Sequence, residues 1–147
     1  MVVIGSGVAG LMSALELPDS SRVLLLSRDI STPPASRWAQ GGLAAAIGPD
    51  DSPALHRCDT LAAGAGLCEP MAVDCLVEKA PGCIRNLLSL GLNLDRQGES
   101  LSTTLEAAHS RRRVLHARDQ TGLALVELLE HCLSLIHISE PTRHRSL

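Results

Sequence analysis

Gly5-x-Gly7-x-x-Gly10 follows directly on the apolar run Val2-Val3-Ile4 and leads into Val8, Leu11, Met12 and Leu15 at helical spacing, an order that can hold a phosphate. Gly5 suits a tight turn, Gly7 a close approach of backbone to a pyrophosphate, and Gly10 close packing of helix on strand. The N-terminus of the helix that follows offers unpaired N–H groups and the positive end of its dipole to the phosphates. A second set of reactive side chains lies in Leu105 to Thr121, where Glu106, His109, Arg111, Arg112, Arg113 and His116 combine an acid with donors suited to carboxylates. By pattern alone that segment reads as a solvated charged loop, and nothing in its spacing proves a site.

The elements that must position these groups are those of an α/β chain. Val8 to Leu17 reads as a first helix stopped by Pro18-Asp19, and Arg22 to Ser27 as a second strand whose unbroken apolar run fits burial on both faces of a parallel sheet. In a dinucleotide fold the end of that strand meets the adenosine ribose, through an acid about 20 residues beyond the glycines. Asp29 stands near that spacing, with Ser27 and Arg28 as alternatives. Ile30 to Ser36 is a loop by its prolines and hydroxyls. Trp38 to Ile47 brings a second glycine pair, Gly41-Gly42, either for close approach to a ligand or as a turn before a small buried helix.

Further along, Ser52 is placed to cap a helix with Pro53 at its first position, running to about Ala65. Glu69 to Leu90 reads as helical with a break near Pro81-Gly82. Asn93 to Ser102 reads as a polar hairpin or loop. Leu123 to Cys132 is an amphipathic helix with Leu123, Val126 and Leu129 on one face.

Composition bounds the reading. The chain has 147 residues, 45% of them hydrophobic, enough for one domain with its own core. That core must be aliphatic, since Phe and Tyr are absent and Trp38 is the sole aromatic side chain. A net charge of −3 with interspersed signs points to a small-molecule partner rather than nucleic acid. No apolar run reaches the roughly 18–20 residues of a membrane span, and the chain opens on strand and phosphate loop with no room for a signal peptide, so a cytoplasmic location is expected. The five cysteines form no Cys-x-x-Cys pair and read as free, buried thiols rather than metal ligands.

Four segments occur together in one order: Gly5-Ser6-Gly7-Val8-Ala9-Gly10, Ala39-Gln40-Gly41-Gly42-Leu43-Ala44-Ala45, Asp59 to Cys68, and His109-Ser110-Arg111-Arg112-Arg113-Val114-Leu115-His116-Ala117. On these the chain resembles, over Met1 to Cys132, the amino-terminal part of the L-aspartate oxidase family, within the succinate dehydrogenase and fumarate reductase flavoprotein superfamily. The resemblance implies a partial Rossmann-like FAD-binding domain, a parallel sheet with helices. It assigns Ser6 to Ala9 to the pyrophosphate and Arg28 to the end of the second strand, since the family, like this chain, lacks the usual acid there. It assigns Ala35, Ser36, Arg37, Trp38, Ala39, Gln40, Gly41 and Gly42 to the flavin side, with Trp38 either a wall of the flavin pocket or plain core.

Succinate dehydrogenase and fumarate reductase flavoproteins carry, five residues before this Gln, a histidine that binds FAD covalently; here Ala35 stands in that place. They also lack the stretch His109 to Arg113. The resemblance therefore implies noncovalent FAD and oxidation of L-aspartate to iminoaspartate, with oxygen or fumarate as electron acceptor, on the route to quinolinate and NAD. It implies substrate contacts at Glu106 and His109. The family's Thr-Arg-Glu-Gly-Gly-His is here Thr104-Leu105-Glu106-Ala107-Ala108-His109, and an alanine where positive φ is needed costs about 1 kcal/mol. Leu133 to Leu147 matches no continuation of the family and resembles a translated sequencing-library adaptor, a non-native tail. Residues 1–132 would then be a truncated domain whose principal catalytic arginine and histidines are missing, an inert reading frame when made alone.

Overall fold

The computed structural model describes residues 1–27 and 33–136, and the side chains of these other than Leu135 and Ile136. Arg28 and Asp29, and the tail beyond Ile136, lie outside the described residues. Val2–Ile4 (β1) and Leu24–Leu26 (β2) pair in parallel, Val2 opposite Leu24 and Ile4 opposite Leu26, with helix Val8–Leu15 (α1) as the crossover between them. This is the βαβ unit that the glycine spacing predicts. Gly5 N–H continues the ladder to the Leu26 carbonyl at 2.8 Å.

A 3₁₀ turn, Ala35–Trp38, leads to Leu43–Ala44 (β3), the helices Pro53–Ala63 (α2) and Pro70–Ser89 (α3), the hairpin Arg96–Gln97 (β4) and Ser100–Leu101 (β5), the strands Thr103–Thr104 (β6) and Val114–Leu115 (β7), and finally Thr121–Ile136 (α4). β3, β7 and β6 form a small antiparallel sheet in that order, so the Gly41-Gly42 segment opens a strand and not a buried helix. The ion-rich loop between β6 and β7 is thereby anchored at both ends.

Several local readings hold for the reasons given. Ser52 Oγ accepts the Leu55 N–H at 3.2 Å, with Pro53 at the first helical position of α2. The polar hairpin turns at Gly98, φ +65°. The expected break at Pro81 is absent: α3 runs unbroken to Ser89, because Val73, Val77 and Ile84 bury one continuous face across it. α4 begins two residues earlier than the apolar pattern suggests and buries Leu125 with Val126 and Leu129, while Leu123 is only partly covered.

The core is aliphatic. Ala45, Ile84, Leu92, Leu94, Leu115 and Leu125 form one cluster, and Leu11 of α1 with Val126 and Leu129 of α4 form a second, which reaches Leu25. The expectation that β2 is buried on both faces fails. Val2, Ile4, Leu24 and Leu26 are 57%, 85%, 55% and 45% exposed, since the two-stranded sheet has α1 and α4 packed on the Leu25 side and no described element on the other. The cysteines also depart from expectation: Cys58, Cys75 and Cys83 are exposed, and Cys68 and Cys132 half-buried.

Candidate functional site

The phosphate loop is built as a cradle. Gly7 is the N-cap of α1 in extended conformation and has no side chain to cap it, so apart from the Val8 N–H, which Ser36 accepts, the first turn of the helix keeps donors for an anion. A Cβ on Gly10 would stand 1.9 Å from the Gly5 carbonyl oxygen, so only glycine lets the helix sit this close to the turn. Two other sequence-predicted residues converge here. Ser6 Oγ lies 3.0 Å from Ser27 Oγ, tying the loop to the end of β2, and the Val8 N–H donates to Ser36 Oγ at 3.3 Å.

Ser36 belongs to the Ala35–Trp38 turn, and this turn is fastened to α4. Arg37 Nη2 pairs with Glu127 Oε1 at 2.9 Å and its Nη1 lies 3.7 Å from Glu130 Oε2. The Gly122 N–H donates to the Ala39 carbonyl at 2.9 Å, and a Cβ at 122 would stand 2.0 Å from the Ser36 carbonyl oxygen. Between turn and helix opens a cavity of about 320 Å³, lined by Arg37, Trp38, Ala39, Gln40, Asp119, Gln120 and Leu123. Trp38 is 71% exposed, so it is not a core residue. Asp119, Gln120, Leu123 and Gly122 had not been singled out for this side; the signal was the glycine beside a helix start, Thr121-Gly122.

The β3–β7 register sets Gly42 opposite His116. His116 Nε2 in turn lies 2.9 Å from Thr104 Oγ1 and 3.0 Å from Glu106 Oε1. The glycine pair of the predicted flavin side and the predicted substrate carboxylate therefore meet through one histidine. Ala108, between Glu106 and His109, takes φ +68°, the left-handed region that an alanine enters at a cost.

The run Arg111 to Arg113 is not a solvated loop throughout. Arg113 is wholly buried, its Nε and Nη2 on the two oxygens of Asp51 at 2.8 Å each and its Nη1 2.6 Å from Asp59 Oδ2. Burial pushes the Asp59 carboxyl up, but the Ser110 N–H and hydroxyl and the Arg113 guanidinium outweigh it and hold Asp59 down at about 2. Asp51 is likewise lowered, burial being overcome by Arg113 and the Ser52 N–H. His56, buried beside them with no partner for Nδ1 among the described residues, is pushed below the ordinary imidazole range by burial and then by the charges of Arg113 and His109, against the pull of Asp51 and Asp59. This cluster clamps the loop carrying Glu106 and His109 onto α2.

The residues present fit a dinucleotide: a helix N-terminus behind the glycines of which Ser36 takes only the Val8 N–H, open backbone at Gly5 and Gly41, and a cavity between the Ala35–Trp38 turn and the start of α4. No described helix is long and apolar enough to cross a membrane.

Comparison with known proteins agrees. The FAD binding domain family model matches residues 1–146. An L-aspartate oxidase of Nostoc sp. is 57% identical over 122 residues, 83% of this chain and 21% of the relative, and one of Synechocystis sp. is 56% identical over 129 residues, 88% of this chain and 23% of the relative. The chain thus spans less than a quarter of the length of these two relatives. Among solved structures, the E. coli quinol fumarate reductase FrdA superposes with a TM-score of 0.85 at 27% identity, over 92% of this chain and 24% of that one. Mycobacterium smegmatis Sdh1 gives 0.82 at 30% identity, over 91% and 24%. The chain belongs to the FAD binding domain family, among the flavoproteins of the succinate dehydrogenase and fumarate reductase type, and its cofactor is FAD.

Proposed function

We propose that this chain is the FAD-binding, amino-terminal part of an L-aspartate oxidase, which oxidises L-aspartate to iminoaspartate on the route to quinolinate and NAD. The observation that carries this reading is the contact of Glu106 with His116, opposite Gly42, which sets a carboxylate able to meet the substrate's amino group beside the flavin side of the cofactor site. Gly5 to Gly10, Ser27 and Arg28 hold the pyrophosphate and ribose end of FAD, and Ala35 to Gly42 its flavin end. FAD supplies the hydride acceptor and is held noncovalently, Ala35 offering no group for attachment. Glu106 and His109 orient L-aspartate, and oxygen or fumarate takes up the electrons.

We take residues 1–132 as the FAD-binding part and 133–147 as a non-native tail, although the match to the family model runs on to residue 146. Genomic sequence that continues past Cys132 unchanged would refute the tail. The chain of 147 residues turns over no substrate alone; yellow protein with aspartate-dependent turnover would overturn this. The intact polypeptide carrying residues 1–132 distinguishes the two oxidoreductase readings. Consumption of L-aspartate and not succinate is expected, and succinate turnover without aspartate turnover would instead make it a succinate dehydrogenase or fumarate reductase flavoprotein.

A further inference from the structure

A guanidinium donates hydrogen bonds and accepts none, so the partners of Arg113 carry information about protons. Its Nη1, with two hydrogens, serves Asp59 Oδ2 at 2.6 Å and His109 Nδ1 at 3.2 Å. His109 Nδ1 is therefore the acceptor in that pair. In a neutral imidazole an accepting Nδ1 leaves the proton on Nε2. His116 makes the contrast: its Nε2 faces the acceptor-only carboxylate of Glu106 at 3.0 Å, so its donor is spent inside the protein. Among the described residues no hydrogen bond engages Nε2 of His109.

We propose that Arg113 is a positioning residue that fixes His109 as an Nε2–H donor, so that position 109 offers one hydrogen bond of fixed polarity to a carboxylate oxygen of the substrate. Its use in recognition rests on the reading above, in which His109 meets L-aspartate. The anchoring is stiff for a physical reason. Arg113 is held by both oxygens of Asp51, and Asp59 Oδ2 also accepts the Ser110 N–H and hydroxyl at 2.8 Å each, so guanidinium and histidine backbone are fastened to the same helix. A lysine at 113 keeps the charge but has no planar fork to reach Asp51, Asp59 and His109 at once.

The test is a long-range ¹H–¹⁵N spectrum of the intact polypeptide carrying residues 1–132, with FAD, its histidine rings ¹⁵N-labelled, at a pH where imidazoles are neutral. The His109 signals are assigned by their loss in His109→Gln. A pyridine-type Nδ1 and a pyrrole-type Nε2 are expected, with the Nε2 proton shifting when L-aspartate is added. An Nε2–H tautomer that ignores L-aspartate supports the Arg113 assignment and removes His109 from substrate binding. An Nδ1–H tautomer overturns the proposal whatever aspartate does. Arg113→Lys is expected to turn the single tautomer into a mixture; an unchanged single Nε2–H tautomer there also overturns it. Should Arg113→Lys not fold, the unsubstituted spectrum decides alone.

Discussion

Ser36 Oγ accepts the N–H of Val8 at 3.3 Å, so a residue of the 3₁₀ turn reaches the first turn of the phosphate-loop helix 28 positions before it. The contact couples the two halves of the cofactor site. Ser36→Ala is expected to cost about 1 kcal/mol, the usual worth of a helix N-cap bond, and to weaken FAD binding by several-fold. Denaturant midpoints and flavin fluorescence titration measure both. Gly10→Ala, driven against the Gly5 carbonyl, is expected to cost roughly 1–3 kcal/mol and abolish binding, whereas Gly41→Ala, with open space around it, leaves stability nearly unchanged.

Trp38 is a clean optical probe, being the only tryptophan in a chain without tyrosine. Its exposure predicts emission typical of a hydrated indole, and its place on the cavity wall predicts strong quenching as FAD saturates the chain. Unchanged emission at saturation would remove Trp38 from the flavin side.

Ala108→Gly relieves a left-handed alanine and is expected to stabilise the chain by about 1 kcal/mol, read as a higher urea midpoint. No gain would mean that φ +68° at this position carries no strain.

Acid sensitivity is expected in two windows. The folded-state value of His56 lies below its ordinary 6.5, so the unfolded chain takes up the proton first and stability declines as pH falls below about 6.5. Asp59, lowered from 3.8 to about 2, and Asp51, also lowered, contribute stability that is full above about pH 4 and is lost as pH falls toward 2. Urea midpoints across pH 2–8 check this, and Asp59→Asn is expected to shrink the lower step.

The bare side of the β1–β2 sheet is an aggregation hazard of known type. Replacing Ile4 and Leu24 by threonine is expected to lower binding of a hydrophobic dye and raise the soluble fraction, by sedimentation, without loss of secondary structure by circular dichroism.

Much of this was legible in the residues because it is local. The βαβ unit follows from the spacing of Val2 to Leu15, and the start of α2 from Ser52-Pro53, since caps and glycine turns are decided within a few positions. What escaped is non-local. Whether Arg113 faces water or a buried pair of carboxylates depends on Asp51 and Asp59, 62 and 54 residues away, and no periodicity reports that. The unbroken helix through Pro81 depends likewise on what its buried face meets.

The fastening of the 3₁₀ turn to α4 also sets an order of events. Arg37 and Glu127 stand 90 residues apart, and Ala39 waits for the amide of Gly122. Closing so long a loop is entropically slow, and on a ribosome it cannot occur until α4 has emerged. The β1–α1–β2 hydrogen bonds join near neighbours in the chain and can form early, but Leu11 of α1 is buried against Val126 and Leu129 of α4, so the phosphate grip and the place for the ring system are both completed by the same late helix, and complete cofactor capture becomes a late checkpoint of folding.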